Sequence, residues 1–429
     1  MSARRVLILC YFYPPLAGGG VHRVLGFTRH LPAHGWECTV IAAGREDYWV
    51  TDESLETRIP ASAEVIRVRG GSALSTWLRV RRGDRGRRTG STYAGLRRLS
   101  DWWLFPDAYA GWASRALSAA SGRIAAGGID AVLTTSPPDS VHLAGLALKR
   151  RFGLPWVADF RDPWVGLHFR NPPTAWHRAR HARAERAVLE GADRVLTASR
   201  THLDTLGARS DARVPPERAI HLPNGFEPEA PGANEVTADA EAFTLVFTGT
   251  LSQMSDTEVF LEALHELLAR RPEARRRVRA RMVGPYQAEY ADRATALGLT
   301  GIVTFLGTRP HAESRALQRG ADALLLWKPR GYPTMVPGKL YEYLDAGRPI
   351  LGVLEEGDEA AAMVRRAGGE LVAPGDRMAL AAAIERRYLA WKEGARPAPS
   401  RPEWVATHAR PALAARLASV LDELTTGRT

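Results

Sequence analysis

Continuous apolar runs, glycine-rich loops and helix-spaced stretches alternate along this chain, and they fall into two sets. Val6 to Phe12 is unbroken apolar sequence, the pattern of a strand covered on both faces of a parallel sheet. Gly18, Gly19 and Gly20 lead into Val21, Val24, Leu25, Thr28 and Leu31 at helical spacing; Gly35 stops that helix and Cys38 to Ala42 begins a second strand. Further strands are predicted at Ala131 to Thr135, Trp156 to Asp159 and Arg194 to Ala198, with a helix over 140–151. Such alternation predicts a doubly wound parallel sheet, whose ligands sit beyond the carboxyl ends of the strands.

The pattern lapses after Asn224-Gly225. Residues 228–242 are rich in Pro, Glu, Ala, Gly and Asp without apolar periodicity, which reads as a linker. It restarts at Thr244 to Thr248. A helix follows over 256–270, with Val259, Phe260, Ala263, Leu264 and Leu267 on one face, and then strands at Arg279 to Val283, Val303 to Leu306, Ala323 to Trp327 and Ile350 to Val353. The expected fold class is α/β with two Rossmann-like, doubly wound parallel-sheet domains. They span residues 1–227 and 243–398, and 399–429 is a C-terminal helical segment expected to cross back to the first domain. A length of 429 residues accommodates two such cores.

Apolar residues make up 45% and charged residues 24%, which excludes the disordered class. The two cysteines, Cys10 and Cys38, stand inside strand-like runs, where reduced core residues are expected rather than metal ligands. Ala3-Arg4-Arg5 and the short apolar run after it end at Pro14-Pro15 without a cleavage-like site, so a first strand explains them better than a signal peptide. No stretch is long enough to span a bilayer, and a cytoplasmic location, peripheral at the inner face of the membrane at most, is expected. The formal charge of +11 suits an anionic partner. No nucleic-acid motif accompanies it, so a phosphorylated small molecule or a membrane surface is the better expectation. Residues 70–100 read as a basic insertion, followed by Trp102-Trp103-Leu104-Phe105. That cluster has the composition of a membrane contact. A solvated loop leading into a packed helix is the favoured reading, because aromatics usually go inside.

Candidate chemistry concentrates between Tyr332 and Pro349. A short helix is predicted from Pro337 or Gly338 to a glycine C-cap at Gly347. Lys339 opposes the macrodipole at that helix start, and a bound diphosphate would reverse the sign while accepting the orphan N–H bonds. Glu342, three residues on, could accept two hydroxyls of a ribose. A local Lys339–Glu342 pair explains the same residues equally well.

Beyond this helix, Pro14-Pro15 through Gly18-Gly19-Gly20, Ser136-Pro137-Pro138 with His142, and Val157 through Asp159-Phe160-Arg161-Asp162-Pro163-Trp164 recur as a set. With them stand His221 to Phe226, Phe247-Thr248-Gly249-Thr250, Phe305-Leu306-Gly307 and Gly338-Lys339-Leu340-Tyr341-Glu342-Tyr343-Leu344. In order and spacing the whole resembles the GT-B retaining glycosyltransferases of family 4, in the bacterial branch that makes surface polysaccharides and glycosides. The resemblance implies two domains facing an interdomain cleft and transfer of a sugar from a nucleotide diphosphate sugar to a glycan, lipid-linked or small-molecule acceptor. It implies no cofactor and no metal. It places Glu342 on the ribose, Pro337, Gly338, Lys339 and Leu340 on the diphosphate, and Thr308 and Arg309 beside the base. Gly19, Gly20, Gly249 and Thr250 would border the donor, and Asp159, Arg161 and Asp162 would act with Lys339 in catalysis.

The chain departs from the family where a second glutamate is usual, Thr334 standing eight residues before Glu342. Thr250 likewise occupies the usual place of an arginine, and Ser252 to Asp256 supplies no cation. Arg161 and Lys339 are the expected substitutes. His22 and His142 rank below them, since a lone histidine is more often structural. A nicotinamide-dependent oxidoreductase is disfavoured, because Gly18-Gly19-Gly20 lacks the dinucleotide spacing and no acid closes the second strand. An inactive nucleotide-sugar-binding protein and a sugar-nucleotide epimerase of the same architecture remain as alternatives.

Overall fold

Aliphatic residues without polar alternation fill the central strands, so both faces of each must be covered by helices. The computed structural model describes residues 4–18, 20–48, 51–70, 102–166, 172–228, 239–251 and 256–426. The basic insertion and most of the expected linker lie outside them. Contacts divide the chain into two units, Met1–Asn224 with Arg410–Thr429, and Gly225–Ala409.

The first unit is built on seven parallel strands: β1 Arg4–Leu9, β2 Trp36–Ala43, β3 Glu64–Val68, β4 Ala131–Ser136, β5 Trp156–Phe160, β6 Arg194–Thr197 and β7 Ala219–His221. Their order is β3-β2-β1-β4-β5-β6-β7. The chain winds outward in opposite directions from β1 and β4, so the loops after these strands flank the crevice that such a reversal opens. Helices α1 Val21–His30, α2 Ala110–Ala125, α3 Ser140–Phe152, α4 Ala175–Gly191 and the short α5 Arg200–Asp204 belong to this unit. Asp107 holds the start of α3, its carboxylate accepting from the Ser140 amide and hydroxyl at 2.9 Å each. The Trp112 indole donates to the Val68 carbonyl at 3.0 Å.

The second unit holds β8 Phe243–Thr248, α6 Thr257–Arg270, β9 Val278–Val283, α7 Ala288–Ala296, β10 Val303–Gly307, α8 His311–Arg319, β11 Ala323–Trp327, α9 Gly338–Ala346, β12 Ile350–Val353, α10 Glu359–Arg366, β13 Glu370–Val372 and α11 Arg377–Lys392. The six strands are parallel in the order β10-β9-β8-β11-β12-β13. The reversal recurs between β8 and β11. The last helix, α12 Arg410–Thr425, packs Leu413, Leu417 and Leu421 with Val24, Phe27 and Trp36 of the first unit. The Trp36 indole donates to Asp422 at 2.7 Å, fixing that helix by a polar contact as well.

Candidate functional site

The carboxyl edge of β1, β4 and β5 gathers the first set of candidates. Asp159, the penultimate residue of β5, has its side chain fully enclosed. Its carboxylate accepts from Arg23 Nε at 2.9 Å and NH2 at 2.7 Å, and from the Thr135 hydroxyl at 2.8 Å. Asp159 was expected to act in catalysis, but its carboxylate is enclosed and held by three donors of the protein, so here it ties the fold together. Arg23 also donates to the Pro223 carbonyl at 2.8 Å, so the pair ties α1 to the end of the unit. Nothing in the sequence spacing marks Arg23 except a charge at a position that the helix buries.

Arg161 is half-buried. Its Nε donates to the Ser136 carbonyl at 2.5 Å, NH1 to the Gly20 carbonyl at 2.6 Å and NH2 to the Pro137 carbonyl at 3.2 Å. Burial pushes its pKa below the usual guanidinium value, against the charges of Asp162 and Asp159. It therefore knits three strand-end loops together. A Cβ at Gly20 would stand 2.7 Å from Arg161 NH1, so a side chain there would displace the guanidinium from these carbonyls. Gly19 lies outside the described residues, and Asp162 is half-buried beside Arg161. His142 is buried, with Nδ1 2.8 Å from the Thr134 hydroxyl and its ring stacked on Phe160 at 4.2 Å. Burial drives its pKa down to about 3, which makes it a neutral core residue rather than a proton carrier.

The second set lies around the start of α9. Pro337 is the N-cap and Gly347 closes the helix in the left-handed conformation. The Leu340 amide donates to the Pro337 carbonyl at 2.9 Å and its side chain is in the core, so the expectation that Leu340 offers its N–H to a phosphate is corrected. The amides of Gly338 and Lys339 are the first-turn donors left to a ligand. Nothing stands within 4 Å of where a Gly338 Cβ would lie, and this open space faces the helix start.

Lys339 does not pair with Glu342. Its ammonium sits 3.5 Å from the centroid of the Phe247 ring, which stacks on Trp327 at 4.3 Å. Burial holds its pKa well below the usual lysine range, and among the described residues it has no carboxylate partner. Gly249, with φ +124°, keeps room for it, a Cβ there lying 3.3 Å from Lys339 Nζ. Glu342 instead accepts from His311 Nε2 at 3.0 Å and from Gln318 Nε2 at 3.0 Å. Burial would raise its pKa, but His311, the Arg315 charge and Gln318 outweigh burial and bring it down to about 2. Thr250, Thr308 and Arg309 are exposed, and Arg309, just before α8, lies 3.6 Å from Glu313 of that helix.

Sequence reasoning missed the support beneath this helix. Lys328, buried just after β11, donates to the Tyr332 carbonyl at 2.5 Å and the Met335 carbonyl at 3.2 Å, and pairs with Asp358 at 2.9 Å. It pins the loop that delivers Pro337. A cation directly after a fully apolar strand was its one visible sign. Among the described residues no group of His, Cys, Asp or Glu is arranged to hold a metal.

Two parallel-sheet α/β units, each with a reversal of strand order, define the GT-B architecture, and the second carries a cation and two open amides at a helix start beyond its sheet. Residues 18–225 match the family described as glycosyl transferase 4-like domain and residues 242–389 that described as glycosyl transferases group 1. The chain belongs to the GT-B glycosyltransferases of the family 4 type. Among solved structures it is similar to sucrose-phosphate synthase from Thermosynechococcus elongatus, at 18% identity and a TM-score of 0.66, over 99% of this chain and 100% of that one. It is also similar to WaaG, a glycosyltransferase involved in lipopolysaccharide biosynthesis, at 18% identity and a TM-score of 0.59, over 97% and 99% of the two chains. Anabaena HepE in complex with UDP-glucose matches at 16% identity and a TM-score of 0.56, over 99% and 97%. No curated protein matches the sequence.

Proposed function

We propose that this glycosyltransferase moves a sugar from a nucleoside diphosphate to a lipid-linked glycan or a small secondary metabolite, with retention of configuration. The observation that carries the reading is Lys339: a half-buried cation at a helix start, resting on an aromatic ring, without a carboxylate among the described residues. A diphosphate in front of Gly338 would take the open amides and the ammonium together. As the glycosidic bond breaks, negative charge grows on the leaving phosphate, and these preorganised donors lower its energy. Glu342, ionised and already oriented by His311 and Gln318, would accept the two ribose hydroxyls with its remaining lone pairs. The acceptor would attack from the leaving-group side, the phosphate taking its proton. Neither a cofactor nor a metal has a role in this scheme. Arg161 and the half-buried Asp162 would shape the acceptor side through the loops they join.

UDP-glucose, the ligand of one similar solved structure, is the first donor to try. Lys339→Ala should lower donor turnover by roughly 10²–10³-fold, the scale of one lost oxyanion donor, with an unchanged circular dichroism spectrum. Full turnover in that variant would remove the phosphate role. Nuclear magnetic resonance of the product reads the anomeric outcome, and an altered sugar nucleotide formed without acceptor would replace transfer by epimerisation.

A further inference from the structure

Three of the five exposed large apolar side chains among the described residues stand together: Trp102, Trp103 and Trp176, with Trp103 85% and Trp176 63% exposed. Both indoles next to His177 touch it, the Trp102 ring centroid at 5.6 Å and that of Trp176 at 4.9 Å, which makes one patch of two distant segments. Cations are laid into the same patch. Arg180 lies 3.8 Å from the Phe105 centroid and 5.3 Å from that of Trp176. Trp176, Arg180 and Arg183 follow the i, i+4, i+7 rule along α4 and are exposed, whereas His181, Glu185 and Val188 face the core. The first turn of α4 has no acid, Arg178 follows it, and the first exposed acid of the helix is Glu190 in its last turn. Cations at the positive end of a helix dipole are uphill unless an anion meets them. Among the described residues no carboxylate pairs with Arg178, Arg180 or Arg183.

We propose that this patch docks the protein on the surface of an anionic lipid bilayer. Tryptophans settle at the level of the headgroups, arginines reach lipid phosphates, and a helix with both on one stripe lies in the plane of the interface. All three indoles are exposed beyond half of their surface, beside arginines, which suits a headgroup layer. The Trp164 indole, three residues past Arg161, donates to His181 of α4 at 3.0 Å, so the patch lies near the edge at which Arg161 stands, and a lipid-linked acceptor would be presented where the first unit's candidate residues lie. Docking needs no donor, so it is independent of the transferase reading.

The test is co-sedimentation of the full chain with vesicles of mixed phosphatidylglycerol and phosphatidylcholine, and with pure phosphatidylcholine. Pelleting is expected with the anionic vesicles, falling at high salt. Each arginine near an anionic surface multiplies affinity roughly fivefold, so Arg180→Ala with Arg183→Ala should weaken binding by roughly thirtyfold. Trp103→Ser with Trp176→Ser should weaken it about tenfold. These side chains are exposed, and unchanged thermal unfolding shows that the variants remain folded. Failure of the native chain to pellet, or equal pelleting by native and variant proteins, overturns the proposal. A chain that pellets without transferring sugar leaves docking intact, and one that transfers without pelleting refutes docking alone.

Discussion

Lys339 pays for its position in proton affinity. Burial against Phe247 lowers its pKa, so part of the population is neutral at a pH where an exposed lysine is fully charged. A bound diphosphate favours the charged form, so binding takes up a proton. Donor affinity should therefore fall as pH rises through the lowered pKa of the free protein. Titration calorimetry of the nucleoside diphosphate in two buffers of different ionisation heat should report that uptake. Lys339→Arg should abolish it while retaining binding, because a guanidinium stays charged. No uptake across the neutral and alkaline range would show that Lys339 is not at the phosphates. Glu342 contributes nothing to this profile, since it loses its charge only near pH 2.

An element as short as α9, Gly338–Ala346, owes its position to the loop before it. That loop is held by Lys328, whose partner Asp358 has its pKa raised by burial against the pull of the lysine. Lys328→Met should leave Asp358 buried and unpaired, at a cost of about 3–5 kcal/mol. Adding Asp358→Leu should recover most of that stability in urea unfolding. The donor KM should stay raised in both variants, because neither restores the bonds to the Tyr332 and Met335 carbonyls. Recovery of KM together with stability would mean that the loop positions itself. β3 illustrates the opposite limit at the element scale. Glu64 and Arg67 interrupt its apolar pattern and it lies at the sheet edge, so periodicity did not reveal it.

Over the whole molecule, acid should unfold the chain well before its carboxylates are protonated. Burial lowers the pKa of His142 to about 3 and that of His202 to about 4, so both exclude a proton that the unfolded chain binds below pH 6.5. Stability is complete above that value and falls with decreasing pH, by about 1.4 kcal/mol per pH unit for each histidine. Urea midpoints measured between pH 7 and pH 4 should show this slope, and His142→Gln with His202→Gln should flatten it. A flat profile in the native chain would mean that these rings are reached by solvent.

Most central strands were legible because an unbroken aliphatic run has few alternatives in a parallel sheet: Ala323–Trp327 and Ile350–Val353 appear where the pattern put them. The start of α9 was equally legible, since proline, glycine and the C-cap act through their own backbone. What spacing could not supply was the partner of each charge. Asp159 was expected to act in catalysis, yet Arg23, 136 residues away along the chain, takes it, while Arg161 takes three carbonyls. Glu342 was offered Lys339 one turn away and is bound by His311 and Gln318 from another helix. The sequence by itself determined the central aliphatic strands, the ends of α9 and the family, because these depend on local backbone preference and on apolar patterning. Tertiary structure alone decided which charges are taken up by the protein and which, like Lys339, have no carboxylate partner among the described residues. An ion pair depends on distance in space, and a chain brings residues close in space that its sequence holds far apart.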